Sequence, residues 1–306
     1  MRQAVEVRRI VRQIRGYGKN FTDSLHMVTG SFLLLVSTIM ESMDILLAVP
    51  IVLGWVGGLF INYAADVLPR TRRFSQPVCR SCAAPISWTD YLMLRACRSC
   101  GLSRSLRTWL VQLLAVVSFV FFWLNPPRAL SLPLCLVVLL YFALITVIDI
   151  EHRLILFPTS VFGAILGLFV GTSIYARGFG YPLPSALGAS LLGGVIGFAL
   201  MFLFYQLGAL LTRYRARRLQ AAGHEDDGEE TLGGGDVYLA GILGLMLGSR
   251  FIINGLVYGI LLGGLIGLFL FLAFRLRSNS SEQALMTFIP YGPFLIAGAF
   301  IMLFMG

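Results

Sequence analysis

Gly233-Gly234-Gly235-Asp236-Val237 stands where an acidic, soluble loop gives way to a long apolar run, so a carboxylate lies at the mouth of a membrane helix. Three successive glycines let the backbone take conformations closed to other residues and approach another chain closely. A second acid, Asp149, closes a different apolar run that begins at Val137. Ionisable groups are expensive at such positions and are functional candidates by default. The two acids are therefore a candidate pair, and the chain around them has to be read as a membrane protein.

Composition agrees. Of 306 residues 57% are hydrophobic and only 13% charged, which excludes a soluble globular domain. A helix needs roughly 17–25 apolar residues to cross a bilayer. Stretches near that length fall at 45–65, 109–124, 132–149, 154–175, 185–211, 236–249, 252–274 and 286–305. The expected fold is an all-α polytopic membrane protein of about eight transmembrane helices with a small cytoplasmic zinc-knuckle insert. Its parts are a basic N-terminal extension (1–44), a first transmembrane helix (45–65), a polar insert (66–108) and an apolar domain (109–306). The short 236–249 stretch is either a full crossing or a tilted or re-entrant segment. Within the extension, Val7, Ile10, Val11 and Ile14 recur at helical spacing among six basic residues, giving either a surface amphipathic helix or a solvated tail. Residues 25–40 are apolar but interrupted by Glu41-Ser42-Met43-Asp44, and are either a short span or an interfacial helix.

The formal charge of +9 comes from 24 basic residues, all arginine except Lys19. They are spread over several short loops, which speaks for membrane topology rather than nucleic-acid binding. Arg153, Arg213, Arg215, Arg217, Arg218, Arg275, Arg277 and the polar insert fall on one side of the alternating connections, against Arg128, Arg177 and Arg250 on the other. The positive-inside rule puts the richer set in the cytoplasm. Asp149 ends a span arriving at that face, two crossings follow, and Asp236 starts the next span from it. Both carboxylates are thus expected at similar depth near one membrane surface.

Cys79-Arg-Ser-Cys82 and Cys97-Arg-Ser-Cys100 are two Cys-x-x-Cys pairs fourteen residues apart. Two such pairs supply the tetrahedral sulfur cage that zinc favours, with no open position for chemistry. Iron–sulfur ligation and a redox dithiol pair are the alternatives, and Cys135 reads as a small core residue. The arginines within 79–107 are candidates for holding anionic lipid headgroups.

Each acid has a plain alternative. Asp236 after glycines and before a helix is a candidate N-cap, and Asp149 a helix-end charge reaching for water. Read together they suit an aspartic protease. Two adjacent carboxyls in a low-dielectric site cannot readily both ionise, so they share a proton. The ionised member then takes a proton from the attacking water, and the protonated member donates to the scissile carbonyl oxygen. His152 and Glu151 read as solvated loop groups, as does the acidic cluster at 225–230.

The order of segments resembles a known family. Two Cys-x-x-Cys pairs precede Val147-Ile148-Asp149-Ile150-Glu151-His152-Arg153-Leu154-Ile155, then Gly233-Gly234-Gly235-Asp236-Val237, then Ile289-Pro290-Tyr291-Gly292-Pro293-Phe294. Gly58-Leu59-Phe60-Ile61-Asn62 and Pro85-Ile86-Ser87-Trp88 add to the likeness. The chain from about Gly54 onward is similar to the bacterial prepilin peptidases (type IV leader peptidases), intramembrane aspartic proteases of the GxGD type. The resemblance implies catalysis by Asp149 and Asp236 in the bacterial inner membrane, near its cytoplasmic face. It also implies type IV prepilins or type II secretion pseudopilins as substrates. S-adenosylmethionine would serve where the new N-terminus is also methylated. Gly233, Gly234, Gly235, Pro290, Tyr291, Gly292 and Pro293 are candidates for the surface that holds the unwound substrate. Three features depart from the family pattern: a short stretch between the cysteine pairs, Gln112 in place of an expected glutamate, and the N-terminal extension. The first two bear on methylation. A reading from another class is an ion- or proton-coupled transporter using the same two aspartates.

Overall fold

The computed structural model describes residues 46–79, 81–221, 233–277 and 290–305. Expectations for residues 1–44, for Arg80 and for the acidic cluster at 225–230 lie outside the described residues. The chain divides after Val52 into two units. The first contributes only residues 46–52, the opening turns of a helix, and the packing below belongs to the second.

Apolar runs fold as helices because no water is present in hydrocarbon to satisfy backbone N–H and C=O groups. In chain order these are α1 (Leu46–Thr71), α2 (Trp88–Leu92), α3 (Leu106–Leu124), α4 (Leu132–His152), α5 (Phe157–Ser173), α6 (Leu183–Ala221), α7 (Gly234–Arg277) and α8 (Gly292–Phe304). A π-helical turn, Ile174–Gly178, extends α5. Six helices are long and apolar enough to cross a membrane, and α8 is a shorter apolar helix. The first expected span is longer than read: α1 continues through Asp66 and Arg70 to Thr71, so the insert proper begins after it. The all-helical expectation holds among the described residues, where strand pairing is limited to a single bridge, Val78 to Pro85.

α7 is two passes. Gly248 has φ 68 and ψ 178 within an otherwise helical run. Before it, Gly244 packs on Gly193 and Ala240 on Gly197; after it, Ile252 returns to Gly197. Leu247 and Gly255 touch, although eight residues of straight helix would separate them by about 12 Å. The chain therefore reverses at Gly248, and the stretches read at 236–249 and 252–274 are separate limbs. The tip of the first limb meets the α5–α6 connection: Tyr175 fills the space where a Cβ on Gly248 would go, and its hydroxyl accepts a hydrogen bond from the Arg250 N–H at 2.9 Å. Among the described residues the bundle thus has six helices long enough to cross, one of them doubled back, and the shorter α8.

Lipid chains are as apolar as leucine, so helix association in a bilayer rests on close packing, and small residues let backbones approach. Gly54 of α1 meets the Val116 backbone of α3; Gly167 and Gly171 of α5 meet backbone carbonyls of α7; Gly259 of α7 meets Leu295 of α8. The tightest seam is Gly193, Gly194 and Gly197 of α6 against Ala240, Gly241 and Gly244 of α7. This seam sets where α7, and hence Asp236, stands.

Gly193→Leu places a side chain against the Gly244 carbonyl and Gly248 backbone and is expected to cost about 1–3 kcal/mol, read as a lowered thermal midpoint in detergent. Gly188→Ala, with no atom near the added carbon, is the neutral control.

Candidate active site and metal centre

α4 carries Asp149 in its last turn. The helix ends at His152 because Arg153 takes a left-handed conformation, φ 52, and its N–H bonds the Asp149 carbonyl. Asp149 is only 5% exposed and Asp236 9%, so neither is a charge reaching into water. Asp236 is the third residue of α7, and its N–H donates to Gly233 at 3.1 Å. It thus sits inside the first turn and does not cap the helix. α8 closes the site from a third side. The Gly292 N–H donates to Asp149 Oδ2 at 3.1 Å, and a side chain at that glycine would press on Asp149 Oδ2 and on Leu239, one turn beyond Asp236. Only glycine allows this approach.

The tentative substrate surface divides. Tyr291 precedes α8 and Pro293 lies in its first turn; with Pro290 both are half-buried beside the acids. Of the glycine run, Gly233 and Gly234 are exposed, and Gly235 packs on Ile155. That contact joins the α4–α5 connection to the start of α7. Beside it a groove of about 610 Å³ opens between α5, α6 and α7, walled by Ile155, Phe157, Phe198, Tyr238 and Leu245.

Glu151 corrects the sequence reading. It is not a solvated loop acid but a residue of α4 held by Arg107, whose Nη1 lies 2.9 Å from Glu151 Oε2 while Nη2 lies 2.7 Å from Asp66 Oδ1. His152 Nε2 is 3.9 Å from Glu151. The ends of α1, α3 and α4 therefore meet at the same end of the bundle as Asp149, and the insert between α1 and α3 is there too. Nothing in the spacing of Asp66, Arg107 and Glu151 announced this cluster.

Within the insert the four cysteines converge, with sulfurs all within 4.8 Å of one another. Cys79 Sγ is 3.6 Å from Cys100 Sγ, and Cys82 Sγ 3.7 Å from Cys97 Sγ. A tetrahedral zinc with bonds of about 2.3 Å requires sulfur separations of about 3.8 Å, so the donors fit that ion. The two knuckles repeat one turn: the Ala83 N–H bonds the Cys79 carbonyl and the Gly101 N–H bonds the Cys97 carbonyl, both residues with positive φ. Backbone N–H groups of Cys82 and Ser81 draw the Cys79 thiol down to about 6, and those of Cys100 and Ser99 lower Cys97. Turns that favour thiolates are what a metal needs.

Four of the insert's arginines have partners within the chain, two of them while largely exposed. Arg98 and Arg95 pair with Asp90, Arg104 lies over the Tyr91 ring at 4.5 Å, and Arg107 is committed as above. Gln112, the departure at the expected glutamate, is buried and donates to the Trp55 carbonyl. The hollow beside the cysteines measures about 60 Å³.

A bundle of apolar helices that gathers two acids at one end, beside a four-cysteine insert, defines a multi-pass membrane protein with a paired-carboxylate site. Residues 134–268, which carry both acids, match the type IV leader peptidase family. The match lies on the segment whose motifs suggested this family. It is 27% identical over 232 residues to a prepilin leader peptidase/N-methyltransferase of Myxococcus xanthus (strain DK1622), covering 72% of this chain and 62% of that protein. A protein of the same description from Pseudomonas putida is 28% identical over 219 residues, covering 71% of this chain and 65% of its own length. The chain thus spans less than two thirds of each relative. No solved structure matches.

About one zinc per chain is expected by elemental analysis, lost in Cys79→Ser/Cys82→Ser; a well-folded, metal-free native preparation would contradict the fit. Hydrogen bonds from Arg98 and Ser87 hold the Asp90 carboxyl below its ordinary value. Its contribution to the insert is therefore complete above the usual aspartate range and lost only as pH falls through the lower folded value. Arg98→Gln should bring that acid loss to higher pH, measured by proteolysis of the insert against pH.

Proposed function

We propose that this protein is a prepilin peptidase, an intramembrane aspartic endopeptidase that removes the short basic leader of type IV prepilins or type II secretion pseudopilins. The observation that carries the reading is Gly292 lying between Asp149 and Leu239, one turn beyond Asp236, with both acids in the segment that matches the leader peptidases. One carboxylate takes a proton from water, the hydroxide so formed attacks the scissile carbonyl carbon, and the partner carboxyl gives its proton to the carbonyl oxygen. Collapse of the tetrahedral intermediate expels the amine, which takes up a proton.

The surroundings suit a substrate whose leader is in water and whose helix is in lipid. The apolar groove beside Tyr238 and Ile155 gives that helix a lateral place next to Asp236. Pro290, Tyr291 and Pro293 border the acids with backbone that is not yet helical, the kind of surface an unwound peptide needs at this depth. By the arginine distribution the site faces the cytoplasm across the inner membrane. Zinc, held by Cys79, Cys82, Cys97 and Cys100, would staple the insert and take no part in bond cleavage. S-adenosylmethionine, implied by the relatives' names, would serve any methylation of the new N-terminus. No methyl-transfer step is assigned to this chain. A transporter has no support from the family match.

Asp149→Asn and Asp236→Asn are each expected to lower processing of a co-expressed prepilin by at least ~10²–10⁴-fold, with expression and membrane insertion retained. Robust cleavage by either variant, scored by the mobility shift of the pilin, would reject the paired-acid mechanism.

A further inference from the structure

One side chain joins the metal-binding insert to the last turn of α4. Arg107 begins α3 and is only 17% exposed at its side chain. Its two terminal nitrogens grip carboxylates on different helices, Asp66 of α1 at 2.7 Å and Glu151 of α4 at 2.9 Å. The other oxygen of Asp66 accepts a hydrogen bond from the Tyr91 hydroxyl at 3.0 Å. Tyr91 is 3% exposed and packs in one cluster with Cys79, Ile86 and Cys97. The contacts run unbroken from the cysteines through Tyr91, Asp66 and Arg107 to Glu151, two residues beyond Asp149.

We propose that Arg107 is a positioning residue for Asp149, and that it transmits the order of the cysteine insert to the end of α4. The reason lies in helix ends. The final carbonyls of a helix lack intrahelical partners, and its last turn frays unless something external holds it. Asp149 is in that turn, where the Arg153 N–H holds its carbonyl and the Gly292 N–H its carboxylate. A planar guanidinium with fixed donor directions holds two carboxylates in one geometry in a way that a flexible ammonium does not. Partly withdrawn from water, it locks Glu151 and with it the turn that presents Asp149 to Asp236 and Gly292. Zinc in the knuckle would order Cys79 and Cys97, and hence Tyr91 and Asp66. Misplacing a reacting group by about 1 Å costs on the order of 10²-fold in rate, so the clamp matters for turnover without touching substrate.

This inference rests on the peptidase reading for its consequence, though the coupling itself does not. The test is amide hydrogen exchange on the full-length, zinc-loaded protein in lipid nanodiscs, followed at residues 145–153, together with prepilin cleavage kinetics. Arg107→Gln should speed exchange in that turn and lower kcat by about 10–10²-fold with KM nearly unchanged and zinc retained. Arg107→Lys should recover only part of both. Glu151→Gln, which reaches the pair from α4 and leaves the Asp66 contact in place, should reproduce the effect, and the double variant should add little. Chelating the metal should speed exchange at the same amides in the unsubstituted protein and change little further in Arg107→Gln. Unchanged exchange in Arg107→Gln and Glu151→Gln, or an equal increment on chelation in both backgrounds, overturns the proposal. Failure of the peptidase reading would appear separately, as cleavage that survives Asp149→Asn, while the exchange result still decides the coupling.

Discussion

A carboxyl group at the edge of hydrocarbon is costly unless its surroundings compensate, and this bundle has to place two of them side by side. That constraint explains why three separated pieces of chain converge on one spot. α4 supplies Asp149, α7 supplies Asp236, and α8 brings the Gly292 N–H to Asp149. A residue larger than glycine at 292 would hold α8 away, leaving the acid without its backbone donor. The same constraint explains the reversal at Gly248. A straight α7 would carry its apolar second half out of the bundle, whereas the folded form packs it against α6 and α8 and brings α8 to the site.

Helix contacts here are built from shape rather than from hydrophobic drive, since lipid competes equally for every leucine. The glycine seams of α5, α6, α7 and α8 let backbones approach closely and fix the register of α7 against its neighbours. Register in turn fixes the depth of Asp236. The placement of Asp236 and the packing of the bundle thus depend on the same glycines.

The insert looks at first like a separate module stapled by four thiolates. Its polar groups say otherwise. Asp66, Arg107 and Glu151 tie the ends of three membrane helices together, and Tyr91 carries that cluster to the cysteines. Arg98, Arg104 and Arg107 find partners in Asp90, Tyr91, Asp66 and Glu151.

The sequence by itself settled what depends on local pattern. Apolar runs gave the helices, the two Cys-x-x-Cys pairs gave the sulfur cluster, and the parity of crossings gave the common end for Asp149 and Asp236. Each follows from spacing along one chain and from the bilayer's demand for satisfied backbone. Tertiary structure alone decided the rest: that Asp236 lies within its helix, that α7 doubles back, that Gly292 reaches Asp149, and that Glu151 answers Arg107. These depend on which faces meet across a separation of up to 143 residues. No periodicity encodes such a meeting, because it is the packing of one helix surface against another that selects it.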